Sequence, residues 1–370
     1  MSAAGAEPLD EARIDALMAP LASATATLIA VSGGPDSTAL LVMASEWARR
    51  RGARIFVATV DHRLRPESGR EAADVARLSA RLGVPHETLV WTGPKPSTRV
   101  QERARETRYR LLAEHAKAIG ADAIATAHHL DDQAETVLFR LLRGSGVAGL
   151  AAMAATTERC GVTLARPLLD IAKADLVAFC RARGLPFVED PSNDDPAYAR
   201  TRLRALMGEL AHEGLDAQNL ARLAHRAAEA DEALAKMAAK AEAELGDGPI
   251  DAAALVSAPI AVVQRVLVRR IAQAGGRDEG RIGLEKIEAL ALRLREAAEK
   301  GRTLAANVGG ALVRLTAKGR LDFVKEPARR TVAGGRQPAS APVPSLQAIP
   351  RATDEEDHAT SGPDPGVGGG

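Results

Sequence analysis

The sequence predicts an α/β fold with a doubly wound, mainly parallel sheet, followed by a smaller, mostly helical domain with a short terminal β hairpin. Two observations predict this arrangement. In the first part of the chain, short runs rich in Ile, Val and Ala alternate with helical stretches, which is typical of βαβ units. The later part is rich in Ala, Leu, Arg and Glu and loses this alternation, so it predicts helices.

The first part contains four apolar runs that suit buried parallel strands, with helices before and between them. The strands are predicted at residues 28–31, 54–60, 86–91 and 121–127. The helices are predicted at residues 9–21, 36–51, 71–82, 101–119 and 131–142. Gly83 and Gly120 follow two of these helices directly, where glycine favours termination.

The second part reads as helical from residue 203 to about 241, with a break near Gly214. Two amphipathic helices follow at 260–274 and 284–298, and three short strands separated by glycines follow these, at 303–306, 311–316 and 321–324. We therefore expect an α/β domain over 1–215, a helical domain over 216–326 and a disordered tail over 327–370. The tail is rich in Pro, Ala, Gly, Ser and Thr and cannot form a core.

A glycine turn links the first predicted strand to its helix, and its sequence is Ser-Gly-Gly-Pro-Asp-Ser at 32–37. Strand, glycine turn and helix start together aim free backbone N–H groups at an anion. Ser32 and Ser37 add hydroxyl donors, and Asp36 suits a Mg²⁺ ligand or a substrate contact. The loop lacks the lysine of a Walker A motif. The alternative is an ordinary turn with a capping residue.

Further polar residues follow the predicted strands, and in an open parallel sheet the carboxyl ends of strands form the ligand-binding edge. These residues are Asp61, His62, His128 and Asp132. On the helix that begins near 131, Asp132 and Glu135 are three residues apart and share a face. Such a carboxylate pair can hold Mg²⁺ or an ammonium group. A transition metal bound with the histidines is less favoured, and acids that complement the helix dipole are the structural alternative.

The net charge of +1 does not by itself indicate a nucleic-acid partner, but 40 of the 49 basic residues are arginine. Arginine suits bidentate phosphate contacts. Arginines cluster at 99–110, at 140 and 143, and at 200–204, although any one of them could simply lie on a solvated helix face. The two cysteines, Cys160 and Cys180, form neither a metal-binding nor a disulfide pattern, and a reducing cytoplasm fits them.

The glycine loop resembles the PP-loop of N-type ATP pyrophosphatases, and the chain as a whole resembles tRNA(Ile)-lysidine synthetases over about its first 205 residues. The motifs that carry the resemblance occur in the order of that family: SGGPDS at 32–37, VDHRLRPES at 60–68, RETRYRLL at 105–112, HHLDDQAETVLFRLLRGSGVAGL at 128–150, RPLLD at 166–170 and VEDPSND at 188–194. Two positions depart from the family pattern. Arg63 stands where the family usually has Gly, and Thr201 stands where it has Asn.

The resemblance implies an adenylating PP-loop domain over 1–215 and a substrate- or tRNA-binding helical domain over 216–326. It implies that ATP activates the wobble cytidine of isoleucine tRNA with a CAU anticodon, and that free L-lysine then replaces AMP. The implied catalytic residues are Asp36, Arg108, Asp132 and Glu135. The implied ATP-binding residues are Ser32, Gly33, Gly34, Pro35, Asp36, Ser37, Asp61, His62, His128 and Arg143.

The resemblance implies that the carboxylates of Asp132 and Glu135 bind lysine and that Asp36 binds Mg²⁺. It also implies that Arg200 and Arg204 contact tRNA phosphates. The choice between His128 and His129, and among Arg200, Arg202 and Arg204, stays open. We expect no membrane segment, no secretory signal and a cytoplasmic location. The oligomeric state also stays open, with a homodimer as the candidate.

Two other functions compete with this interpretation. A tRNA thiolase of the same PP-loop class would need cysteines that carry sulfur or a cluster, and the positions of Cys160 and Cys180 argue against it. An inert tRNA-binding protein would not need the acids at 36, 132 and 135.

Overall fold

The structure is a computed structural model that describes residues 9–63, 68–93, 100–188 and 199–327, apart from the side chains of residues 100, 101, 199 and 200. Within these residues, a six-stranded sheet contains β1 (Thr27–Ala30), β2 (Ile55–Asp61), β3 (His86–Val90), β4 (Ala123–Ala125), β5 (Thr156–Arg159) and β6 (Val162–Ala165). The helices that follow or precede these strands are α1 (Glu11–Leu17), α2 (Pro35–Arg51), α3 (Ser68–Leu82), α4 (Val100–Ala118), α5 (Leu130–Leu141), α6 (Val147–Leu150) and α7 (Lys173–Ala182).

The strand order in this sheet is β3-β2-β1-β4-β6-β5. All neighbours are parallel except β5 and β6, which form an antiparallel hairpin at one edge. Ile29 of the central strand β1 lies opposite Val57 of β2 on one side and Ala125 of β4 on the other. The carboxyl ends of β1, β2 and β4 therefore lie side by side, which is where the predicted site residues follow.

Helices cover both faces of the sheet, as in a doubly wound fold. Along β1, Ile29 belongs to a core with residues of α1, α2, α3 and α7, whereas the next residue back, Leu28, belongs to a core with α4. This alternation follows from the two-residue repeat of a strand. Eleven of the 17 residues of α2 are buried, including Leu40, Leu41 and Met43, and its apolar side chains belong to the larger core.

The remaining described elements are mostly helical and carry a second sheet. They are α8 (Ala199–His212), α9 (Ala217–Leu245), β7 (Ile250–Asp251), α10 (Ala252–Val256), α11 (Ile260–Gly275), α12 (Leu284–Glu299), β8 (Leu304–Val308), β9 (Ala311–Leu315) and β10 (Arg320–Lys325). The second sheet is antiparallel with the order β7-β10-β9-β8, so the predicted terminal hairpin is a four-stranded sheet in this part of the structure. A core of its own lies between this sheet, α11 and α12.

Helix α9 packs both against the α/β part of the chain and against the core of the second sheet. Near its start, Leu220 and Ala224 pack with Val137 and Leu138 of α5, while Ala238 nearer its end belongs to the core of the second sheet. The boundary at 215/216 stays a prediction, since the first turns of α9 pack against the α/β part. The predicted disordered tail lies outside the described residues, except for Pro327.

The predicted fold class is confirmed, and each predicted strand and helix appears with ends shifted by a few residues. The β5–β6 hairpin was not predicted from the sequence, because residues 156–165 contain no long apolar run and β5 is an exposed edge strand. Cys160 and Gly161 both have positive φ, 54° and 73°, as in the two-residue turns that match hairpin twist. No helix in the described part of the chain is long and apolar enough to cross a lipid bilayer.

Asp122 precedes β4 and ties it to the segment that leads into β1. Its two carboxylate oxygens accept hydrogen bonds from the backbone N–H groups of Thr25, at 3.0 Å, and Ala26, at 3.3 Å. The hydrogen bonds from Thr25 and Ala26 lower the pKa of this carboxyl below 3.8, although some loss of hydration opposes the shift. A lowered pKa means that the charged form stabilises the fold.

We therefore expect Asp122→Asn to lower the free energy of unfolding at neutral pH. The contribution of Asp122 is complete above pH 3.8 and is lost as the pH falls through the lowered folded-state pKa, so the gap between wild type and variant should close in acid. Urea unfolding across a pH series measures this gap. A gap of the same size at every pH would contradict a role for the charge.

Candidate active site

The loop at residues 32–37 joins β1 to α2 and is braced by its own serines. The Ser37 hydroxyl accepts from the backbone N–H of Ser32 at 3.1 Å and donates to the carbonyl of Gly34 at 3.1 Å. Gly33 has φ of +89°, a conformation that a side chain strongly disfavours, and Gly34 is the N-cap of α2, with Pro35 in its first turn. The loop is thus a fixed turn at the positive end of a buried helix.

His129 connects this loop to helix α5. It is the N-cap residue of α5, it is 4% exposed, and its Nε2 lies 3.5 Å from Asp36 Oδ2 and 3.5 Å from Asp132 Oδ2. The sequence left His128 and His129 open, and the structure brings His129 to Asp36. His128 instead lies 2.9 Å from the Thr126 hydroxyl through its Nδ1. The imidazole of His129 therefore lies between Asp36, in the first turn of α2, and Asp132, in the first turn of α5.

The acids around His129 change its protonation. Burial opposes a charged imidazole, but the hydrogen bond with Asp36 and the negative charges of Asp132 and Asp131 outweigh it and raise the pKa of His129 above 6.5. Asp132 also completes a capping box, since its carboxylate accepts from the backbone N–H of His129 at 3.1 Å. These contacts fix the start of α5 relative to the glycine loop.

Asp36 keeps one carboxylate oxygen available. Its Oδ2 faces His129, while its Oδ1 is buried and has no hydrogen-bond partner in the described structure. An orphaned carboxylate oxygen beside an anion-binding turn fits a divalent cation that shares phosphate oxygens. Among the described residues, no group of three or more His, Cys, Asp or Glu side chains could hold a metal ion without such help.

Asp61 is the last residue of the neighbouring strand β2, and His62 follows it. Asp61 is 9% exposed, and its Oδ1 accepts from the backbone N–H of Arg63 at 2.8 Å. Burial raises the pKa of Asp61, but hydrogen bonds from Ser68 and Arg63 and the Arg63 charge lower it overall. The His62 ring meets Trp91 edge to face, with centroids 5.8 Å apart. Arg63 has φ of +49°, in the left-handed region that favours glycine, the residue that the resemblance leads us to expect at this position.

Glu135 lies one turn along α5 in a different setting from Asp132. It is 3% exposed, and its Oε1 forms an ion pair with Nε of Arg204 from α8. Its Oε2 is buried without a hydrogen-bond partner in the described residues. A buried carboxylate with one paired and one unpaired oxygen has unused capacity to bind a cation.

The other predicted residues are less close to this group. Arg143 is exposed and stacks on Phe139, with its Cζ 3.9 Å from the ring centroid. Arg108 lies exposed on α4, and the described structure shows no hydrogen bond or ion pair between it and the loop. Arg202 is exposed on α8, and the side chain of Arg200 lies outside the described residues. The segment 189–198, which contains most of the VEDPSND motif, also lies outside, but Val188 donates its N–H to the carbonyl of Gly33 at 2.9 Å.

Two contacts were not predicted from the sequence. The choice between His128 and His129 was left open, although a residue before a helix with an acid three positions later is a known capping signal. The pairing of Arg204 with Glu135 was not foreseen, and the implied contact of Arg204 with tRNA phosphate stays a prediction. No local pattern links residues 69 positions apart, so this pair required the packing of α8 on α5.

The chain is similar to known proteins over most of its length. A family model described as a PP-loop domain matches residues 7–210. A tRNA(Ile)-lysidine synthase from Rhodopseudomonas palustris is 48% identical over 345 residues, which cover 89% of this chain and 99% of that protein. A protein of the same name from a Bradyrhizobium species is 46% identical and covers 87% of this chain and 96% of its own length.

A third relative gives the same result. A tRNA(Ile)-lysidine synthase from a Methylobacterium species is 51% identical over 313 residues, which cover 82% of this chain and 90% of that protein. The residues that the PP-loop family model matches include the glycine loop, the start of α5 and most of α8, which form the geometry described above. The chain therefore belongs to the tRNA(Ile)-lysidine synthase family and carries its PP-loop domain at the start.

Proposed function

We propose that this chain joins lysine to C2 of the wobble cytidine in isoleucine tRNA with a CAU anticodon, in two steps. The cytidine O2 first attacks the α-phosphorus of ATP, the bond to the bridging oxygen breaks, and pyrophosphate leaves. The lysine ε-amine then attacks C2, gives up a proton, and the C2–O bond breaks as AMP leaves. Membership of the family already makes the chain an ATP-dependent ligase that acts on tRNA.

One observation carries the proposal: a braced glycine loop and the acids Asp36 and Asp132 meet around His129 at one edge of the sheet. The backbone N–H groups of Gly33, Gly34 and Ser37 would hold the leaving pyrophosphate, because they lie at the positive end of α2. When bound, Mg²⁺ would offset charge that develops on the phosphates. Asp36 would hold the ion through its unpaired Oδ1.

Asp132 and Glu135 would bind lysine. Glu135 now holds the guanidinium of Arg204, so an ammonium group at this carboxylate would exchange one cation for another. The exchange keeps the buried carboxylate paired throughout, which avoids the cost of an isolated buried charge. Arg204, once displaced, would be available for a phosphate, which accommodates the role that the resemblance implied for it.

The thiolase alternative is weakened by the surroundings of both cysteines. Cys160 is exposed in the β5–β6 turn. Cys180 lies beneath the glycine loop, and its thiol donates to the carbonyl of Pro35 at 3.3 Å. Burial and the charge of Asp36 raise the pKa of Cys180 to about 11, so it remains a thiol and not the reactive thiolate. The cytoplasmic location and the homodimer stay predictions.

We expect labelled lysine to be transferred to an unmodified isoleucine tRNA with a CAU anticodon in the presence of ATP and Mg²⁺. Elongator methionine tRNA, which shares this anticodon, is the control and should stay unlabelled. Pyrophosphate release on addition of tRNA, without label, would keep the adenylation step and exclude lysine as the nucleophile. Binding of tRNA with neither signal would favour the inert binder.

Asp36→Asn should slow tRNA-dependent pyrophosphate release roughly 100-fold or more, because charge stabilisation by a bound metal is worth several kcal/mol. The dissociation constant for tRNA should stay close to that of the wild type. Asp175 lies in the first turn of α7 as Asp36 lies in the first turn of α2, so Asp175→Asn is a matched control. Normal turnover in Asp36→Asn would refute the metal assignment.

Glu135→Gln should raise the KM for lysine roughly 10-fold or more, because it removes the charge from a charge-assisted hydrogen bond. Pyrophosphate release should continue, since the first step does not use lysine. Glu209→Gln, at an exposed position on α8, is the control and should leave the KM for lysine unchanged. If Glu135→Gln lowered thermal stability but left this KM unchanged, Glu135 would be a structural partner of Arg204 alone.

A further inference from the structure

Three arginines gather around one buried tyrosine on the face of the sheet covered by α4. The guanidinium carbon of Arg159, at the end of β5, lies 4.0 Å from the centroid of the Tyr109 ring. That of Arg105, one turn before Tyr109 on α4, lies 5.3 Å from it. Arg166 follows β6 directly, and its Nη1 donates to the carbonyl of Ala154 at 2.7 Å and contacts the Thr157 hydroxyl at 3.3 Å. We call Arg105, Arg159 and Arg166 the arginine cluster.

No acidic side chain in the described structure forms an ion pair with the arginine cluster. Arg166 is 8% exposed, and its Nε is buried without a hydrogen-bond partner among the described residues. Burial lowers the pKa of Arg166, Tyr109 opposes the shift, and the charges of Arg105 and Arg159 lower it further. Like charges held together near a buried, partly unsatisfied guanidinium are costly unless an anion joins them.

The arginine cluster adjoins the candidate active site. Strand β6 lies next to β4, and Thr126, which follows β4, donates its N–H to the carbonyl of Ala165 at 3.0 Å. The Thr126 hydroxyl in turn lies 2.9 Å from Nδ1 of His128, a predicted ATP contact. Ala165 is thus hydrogen-bonded to the segment at the edge of the sheet where ATP would bind, and Arg166 is the next residue.

The arginine cluster also extends away from that edge. In the hairpin, Thr156 lies opposite Ala165 at the site end, and Arg159 lies opposite Val162 at the far end. Although Arg159 lies at the far end, its guanidinium reaches the same tyrosine ring as that of Arg105, so the two charges lie on one patch of the surface. Stacking on Tyr109 restricts two of the guanidiniums before any ligand arrives, which lowers the entropic cost of binding. The resulting local concentration of positive charge suits the phosphates of a nucleic-acid strand.

We propose that the arginine cluster binds backbone phosphates of the tRNA strand next to the nucleotide that enters the active site. This inference rests on the proposed function, because it takes tRNA as the substrate. The cytidine must leave its stack to be reached, so its neighbours need a fixed position on the surface beside the site. Guanidinium groups provide that position through paired hydrogen bonds to phosphate oxygens, without reading the base sequence.

The test measures tRNA binding without lysine and without turnover, so it does not depend on lysidine formation. Arg105→Gln and Arg159→Gln should each raise the Kd for the isoleucine tRNA roughly 3- to 10-fold at fixed salt. Each should also reduce the slope of log K against log salt by about 1, as expected for one lost phosphate contact. The Kd for ATP should not change. Arg81→Gln, at an exposed position near the end of α3, is the control.

Arg159→Lys adds a second measurement, since it keeps the charge and loses the planar group. Compared with Arg159→Gln, this variant should recover most of the wild-type salt slope but a smaller part of the wild-type affinity for tRNA. Wild-type affinity and slope in both glutamine variants, with unchanged thermal stability, would overturn the proposal. Weaker binding with an unchanged slope would also overturn it.

Discussion

The pairing of β1 between β2 and β4 determines where every group of the candidate site lies. Each of these strands contributes its last residue or the segment after it: the glycine loop follows β1, Asp61 ends β2, and His128 and His129 follow β4. A slip of one residue in either pairing would turn Leu28 and Ile29 to the wrong faces of the sheet and lose both cores. Burial of these side chains fixes the register of the strands, and the register in turn fixes the distances between the groups around His129.

Several charged groups of the candidate site are buried, although burial of charge is unfavourable for folding. His129 is nearly inaccessible, yet it faces Asp36 and Asp132, and Glu135 is buried against Arg204. One oxygen of Asp36 and one of Glu135 remain without partners in the described residues, at a cost of roughly 1–3 kcal/mol for each such group. A buried ion pair is weak evidence of stabilisation, so these arrangements are better explained by the cations and phosphates that the proposed reaction would bring to the site.

Much of the fold was predictable because it rests on local patterns. The buried strands appear as apolar runs, and α2 appears as an Ala- and Leu-rich stretch after a glycine turn. The β5–β6 hairpin was not predictable in the same way, since its edge strand is polar and exposed and its turn uses Cys160 in place of Asn. At the site, the loop and Asp132 followed from motif and spacing. The pairing of Glu135 with Arg204 did not, because it depends on how α8 packs on α5.

Helix α9 contacts α5 near its start and the core of the second sheet nearer its end, and this has a mechanical consequence. Its 29 residues make a rod about 44 Å long. If such a rod pivots by 4° at one end, its other end swings by about 3 Å, which is close to the length of a hydrogen bond. A displacement of the C-terminal helices would thus be transmitted to α5, the helix that begins at His129, because both pack against α9.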